Sequence, residues 1–164
     1  MLTDHDRETF ALIVMEEVRR WPGVEMRPHP SPSDPSGSDG VEFRLSGRQI
    51  GHVHGDCAVH LSLTKSLKEI VVGEQLAEPL PFAPTSGWAM FHPMSVEDAE
   101  RAIWLLRLNY IRFRRQRLTP LAAASSELLQ KHEAALGSLS SNATKMLQRT
   151  QVRTRPRPIP TIEA

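Results

Sequence analysis

The strongest constraint on this chain is a change of period between residues 41 and 63. Val41, Phe43 and Leu45 alternate with Glu42 and Arg44, the pattern of a strand with one buried face. Ser46-Gly47-Arg48-Gln49 forms a short turn in which Gly47 is free to take a positive φ. Ile50 to His54 returns as a second strand and Gly55-Asp56 turns the chain again. Ala58 to Leu63 is a third strand, with Val59, Leu61 and Leu63 on one face. Three strands joined by tight turns make an antiparallel meander, whose apolar face needs a covering layer.

The flanking segments supply that layer. Residues 4–21 are expected to be helical, because Phe10, Ile13, Val14, Val18 and Trp21 fall on one stripe. Thr3 or Asp4 caps the start and Pro22-Gly23 stops the end. A second helix over 64–75 turns Leu67, Ile70 and Val71 inward, and Trp88 to Phe91 reads as a fourth strand after a proline-rich loop at 77–86. Ser95 and Asp98 form a capping box that opens the longest helix. Its stripe of Val96, Ala99, Ile103, Leu106, Tyr110 and Phe113 carries it to about Gln116. The expected fold is therefore α+β: a two-layer domain with an antiparallel four-stranded sheet packed with helices, in the order α-β-β-β-α-β-α.

The expected organisation is an α+β domain over 1–117, a helical extension over 118–148 and an Arg/Pro tail over 149–164. Four prolines and no large apolar residue between 27 and 40 suggest a mobile loop there. The extension is read as one amphipathic helix on Leu121, Leu128, Leu129 and Leu136, followed by a short turn. The tail, rich in Pro and Arg without periodicity, is expected to be disordered.

Charge follows the same division. Residues 1–100 hold 8 basic and 16 acidic side chains, whereas residues 101–164 hold 12 basic and 3 acidic. The formal net charge of +1 thus conceals an acidic domain carrying a basic arm. That pattern excludes a uniformly basic nucleic-acid binder and an acidic disordered chain. The single cysteine, Cys57, cannot form an internal disulfide. The acidic start lacks the basic and apolar run of a secretory signal, and no apolar stretch is long enough to span a membrane, so a cytoplasmic protein is expected.

Two groups of residues carry possible chemistry. His52 and His54 share a parity on the second strand, Asp56 continues it if the strand persists, and His60 lies across the turn. Imidazoles and a carboxylate on one face suit a divalent metal such as zinc or iron. The plainer reading places the same histidines on the polar side of a half-covered sheet. His92, after the fourth strand, and Cys57 are further candidates for that face. The second group is Arg112, Arg114, Arg115 and Arg117 with Arg153, Arg155 and Arg157 in the tail, a candidate contact for a polyanion. Tyr110 and Phe113 interleave with them but lie on the apolar stripe, where they serve the core before they serve a nucleobase. Arginines in a last helical turn also complement the helix dipole without any partner. No nucleophile elbow, phosphate loop or dinucleotide fingerprint is present.

Three motifs, in order, resemble one known family. Gly47-Arg48-Gln49-Ile50-Gly51-His52-Val53-His54, Ser86-Gly87-Trp88 and Leu105-Leu106-Arg107-Leu108-Asn109-Tyr110 are similar to the G-R-E-I-x-H-x-H strand, P-x-S-G-W segment and L-L-R-L-S-Y helix of the small luciferase domain family. The resemblance spans roughly residues 41–113 and implies a domain more than a reaction. The family name does not imply light emission, since bacterial luciferases are long flavin-dependent barrels and this chain is too short for one. Gln49 stands where the family usually has an acid, and His60 where an aspartate is expected, so any site those acids serve in relatives is altered or absent here.

The reading that follows is a small cytoplasmic binding or accessory protein. It would use His52, His54 and Trp88 as a ligand or partner surface, and a basic arm to contact a protein or polyanion. The alternatives are a metal-dependent enzyme built on His52 and His54, with Asp56 or His60, and a nucleic-acid-binding protein.

Overall fold

The meander forms the centre of a single antiparallel sheet. The computed structural model describes residues 2–31 and 37–149 of the chain. Among these residues six strands, β1 (Val24–Pro30), β2 (Ser38–Leu45), β3 (Arg48–Val53), β4 (Val59–Ser62), β5 (Glu78–Pro79) and β6 (Trp88–Phe91), lie in the order β1-β2-β3-β4-β6-β5. Six helices accompany them: α1 (Asp4–Val18), α2 (Lys65–Gly73), α3 (Val96–Arg115), α4 (Pro120–Ala124), α5 (Glu127–Leu136) and α6 (Ser141–Arg149). The α+β class holds, with six strands in place of the expected four.

Both additional strands lie at sheet edges. β1 occupies the start of the segment expected to be a loop over 27–40, despite Pro28 and Pro30. A proline cannot donate to a ladder, but an edge strand needs only one of its two sides paired, and β1 pairs with β2 alone. The two-residue β5 likewise carries Pro79 at the opposite edge. Helices that begin where the sequence indicates do so through caps. Thr3 and Asp6 form a capping box on α1, and Ser95 accepts from the Asp98 amide at α3.

The apolar face of the sheet packs against helices. Phe43, Gly51, Leu61 and Ala89 lie opposite one another across β2, β3, β4 and β6. The three side chains in this row are completely buried, as are Val14 and Val18 of α1 and Leu106 of α3. A Cβ at Gly51 would come 2.7 Å from Leu106 Cδ2, so a missing side chain lets α3 sit this close. Between Phe43 and Arg44 the β2–β3 register shifts, leaving Ile50 as an extra residue. Asn109, wholly buried on α3, donates its amide to the carbonyls of Ile50 and Ser62 and so satisfies the bulge from below.

The extension continues this core. The one helix expected over 121–136 is two, because Ser126 caps a fresh start by accepting from the Leu129 amide. α6 replaces the expected short turn. Leu129, Leu136 and Leu147 join the same apolar cluster as Val14 and Leu106. Residues 150–164, with Arg153, Arg155 and Arg157, lie outside the described residues.

Candidate metal centre

The opposite face of the sheet gathers histidines. Glu42, His52, His60 and Met90 are register partners across β2, β3, β4 and β6. Directly opposed residues share a face with Cβ atoms about 4.5–5.5 Å apart, so His52 and His60 meet by strand pairing alone. His54 lies just beyond β3. Its amide donates to the Ala58 carbonyl at 2.9 Å, and its carbonyl accepts from the Cys57 amide at 3.0 Å. This tight turn brings the third imidazole back over the pair.

The three rings converge on one point. His52 Nε2 is 3.1 Å from His54 Nε2 and 3.0 Å from His60 Nδ1, and the remaining side of the triangle is 3.2 Å. Each nitrogen carries either a proton or a lone pair. With three atoms and two roles, at least one pair must match, so the triangle cannot consist of three hydrogen bonds. Three lone pairs directed at one cation remove the conflict. A tetrahedral metal with nitrogens at about 2.0–2.1 Å spaces them roughly 3.3 Å apart, close to the triangle found here.

Outer contacts orient two of the rings. Asp39 Oδ2 lies 2.8 Å from His54 Nδ1, and Asp39 Oδ1 accepts from the Gly55 amide at 3.2 Å. The Gln49 side-chain amide sits 2.8 Å from His52 Nδ1. For His52 Nε2 to keep its lone pair, Nδ1 carries the proton and donates it to the amide oxygen, with the amide turned so that its oxygen faces the ring. A metal-bound imidazole commonly has its second nitrogen held this way. The His54 contact, first among its causes, holds the Asp39 carboxyl below the usual carboxylate range. Gly40 makes that contact possible. Its φ is +91°, and a Cβ there would lie 1.9 Å from the Val53 carbonyl oxygen.

Burial keeps His52 and His60 uncharged. Burial first, then the neighbouring His29 and His60, push the His52 pKa down to about 2. Burial and then His54 push His60 down to about 4. Near neutral pH both rings keep a free lone pair, the form in which imidazole binds metals.

Above the triangle opens a cavity of about 230 Å³, lined by the three histidines, His29, Leu80, Phe82 and Trp88. Phe82 is 79% exposed at its rim, and the Trp88 ring lies 5.4 Å from His52. His29, on β1, stacks on His52 at 3.7 Å with planes 14° apart. One nitrogen from each of His29, His52 and His54 lies within 4.8 Å of the others, a looser group than the His52–His54–His60 triangle. A ring parallel to His52 cannot aim its own lone pair at the same point, so His29 flanks the centre. Its Nδ1 is buried without a hydrogen bond, 3.6 Å from Glu42 Oε2.

The structure thus unites His52, His54 and His60 with Trp88 and leaves Asp56 apart. The turn at 54–57 ends the strand parity that would have carried Asp56 to the same point. Asp56 Oδ1 accepts from the Ala58 amide, and the residue lines a separate cavity with Cys57 and His92. The arginines scatter. Arg112 is buried, Arg114 donates to the Pro22 carbonyl and the Tyr110 hydroxyl, Arg115 pairs with Glu133, and Arg117 is exposed. Tyr110 and Phe113 are both buried, so neither presents a face for stacking. Sequence reasoning missed His29, Asp39, Leu80 and Phe82, all of which come from proline-rich segments read as loops. Asp39-Gly40 before an alternating run was the one available signal.

Fold and site together define a small α+β protein with a histidine cluster on one sheet face. Residues 47–109 match the family model described as Luciferase domain, so the resemblance read from the motifs is borne out over that stretch. The matched segment runs from the β2–β3 turn into α3 and contains His52, His54, His60 and Trp88, whereas His29 and Asp39 precede it. Gln49 and His60, where the motif resemblance leads one to expect acids, both fall within the cluster. No curated protein and no solved structure matches the chain.

Proposed function

We propose that the protein is a metal-dependent enzyme. It holds one divalent transition metal through His52 Nε2, His54 Nε2 and His60 Nδ1 and acts on a small ligand entering past Phe82 and Trp88. The observation that supports this reading is the nitrogen triangle, whose geometry suits three metal ligands and suits no arrangement of three hydrogen bonds. Zinc and iron both accept imidazole, and three protein ligands leave a position for water or a substrate atom. Asp39 and Gln49 orient the rings from behind, while Leu80, Phe82 and Trp88 supply an apolar wall that limits water. The metal-free alternative, a ligand or partner surface, leaves the matched nitrogen roles uncompensated.

Elemental analysis of the purified full chain, before and after reloading with Zn(II) or Fe(II), tests the proposal. About one metal per chain is expected, absent from a His52→Ala/His60→Ala variant of unchanged circular dichroism. A protein that carries no metal and takes up neither ion would overturn the proposal and return the face to a binding surface.

A further inference from the structure

We propose a second site, separate from the histidine cluster, in which Arg48 and Arg112 bind a phosphate group. Arg112 is only 4% exposed and is the most deeply buried arginine of α3. Its Nε donates to Asn109 Oδ1 at 2.8 Å and its Nη2 to the Ser62 carbonyl at 2.9 Å. Its Nη1 donates to no described residue and is not among the sealed, unpartnered atoms, so it reaches solvent. Arg107 and Arg115, on the same helix, each have a carboxylate, Glu17 and Glu133. Arg112, with the greatest need of a countercharge, has none among the described residues.

A second unpaired cation stands beside it. Arg48, exposed at the start of β3, donates to Gln116 Oε1 at 3.1 Å and likewise has no carboxylate among the described residues. Both guanidinium carbons lie 4.4 Å from the centre of the Phe113 ring, so they are no more than twice that distance apart. Burial and then the Arg48 charge pull Arg112 down to about 10, as expected of two cations without an anion between them. The carbonyl end of α3 contributes roughly half a negative charge, which offsets only part of one guanidinium. A phosphate bridging two guanidiniums holds each central carbon roughly 4 Å from phosphorus, a separation of up to about 8 Å that falls within the bound set by the Phe113 ring. Its double charge matches the two arginines.

The test uses the full chain with metal removed by chelator, so that binding at the histidines does not contribute. Thermal unfolding is followed against inorganic phosphate, against methyl phosphate and against chloride at matched ionic strength. A saturable rise in midpoint with phosphate, absent with chloride, is expected. Arg48→Gln should weaken the phosphate effect at least tenfold while its circular dichroism in the absence of phosphate stays that of the parent. Tighter binding of methyl phosphate identifies a phosphate monoester as the ligand, and tighter binding of inorganic phosphate identifies the free ion. An equal phosphate shift in Arg48→Gln, or none beyond chloride, overturns the site.

Discussion

Two regions of this molecule bury histidines, and they do so to opposite effect. His132 of α5 is 4% exposed, and its Nδ1 accepts from Arg107 Nη1 at 2.9 Å. A guanidinium can only donate, so the tautomer of His132 is fixed. The ring lies edge-on to Trp21 at 5.6 Å and tilted on Tyr110 at 4.7 Å. Arg107 also donates to Glu17, which accepts from the Trp21 indole, so one network ties α1, α3 and α5. It links the acidic and basic halves of the chain, making part of the charge asymmetry internal. His52 and His60 are as buried as His132 and are likewise uncharged near neutral pH. What separates the regions is complementarity. In one the inward ring nitrogen meets a guanidinium donor that also answers a carboxylate, and in the other three nitrogens face each other.

The contrast makes its largest prediction as a reciprocal pair. His52→Ala/His60→Ala should lower metal affinity by at least about a thousandfold, because two of three ligands are gone, while costing the metal-free protein less than His132→Ala does, because relief of the opposed nitrogens offsets part of the lost ring packing. His132→Ala should leave metal affinity unchanged and cost about 2–4 kcal/mol, from a lost buried ring and an orphaned Arg107 donor. Calorimetric metal titration and urea unfolding of both variants measure the two effects. A His132→Ala protein that loses metal, or a double variant that unfolds as readily as His132→Ala, would erase the distinction.

A smaller effect distinguishes orientation from ligation within the cluster. Asp39→Asn keeps the shape of the side chain but removes the charge beside His54 Nδ1. Metal affinity should fall about 10–100-fold without being abolished. The same titration gives the answer, and a complete loss would make Asp39 a ligand in its own right.

How much of this was legible in the sequence depended on whether a residue sat in a periodic segment. The meander, α1 and α3 announce themselves through alternation or an apolar stripe, and the H-x-H spacing of His52 and His54 follows from strand parity. His60 was available as a candidate because β3 and β4 are joined by a short turn. His29 and Asp39 were not, because two prolines flank the histidine and mask an edge strand whose pairing is set by β2. Propensity argues against a strand there, but an edge position tolerates proline. Asp56 misled for the complementary reason, since parity holds only while the strand continues. The break at Ser126 is a cap, and a cap competes locally with an apolar pattern that runs straight across it. Arg112 looked like a solvated helix end, although it reaches through the fold to the Ser62 carbonyl.

The smallest expected effect concerns acid. Burial first, then the Arg107 charge, lowers the His132 pKa from 6.5 to about 4. The unfolded chain therefore binds a proton at this residue below about 6.5, and the folded chain resists it until about 4. The contribution of His132 is complete above 6.5, declines as pH falls through this window and levels off below it. His132→Gln keeps an acceptor for Arg107 but does not titrate. The loss of stability between about pH 6 and pH 5 should therefore be smaller in this variant by roughly 1 kcal/mol, the work of one proton over one pH unit. Urea midpoints of the metal-free protein at both values provide the comparison, with His52 and His60 titrating alike in each. Parallel pH profiles would mean that His132 takes up its proton in the folded state, and that the network around it is looser than its contacts indicate.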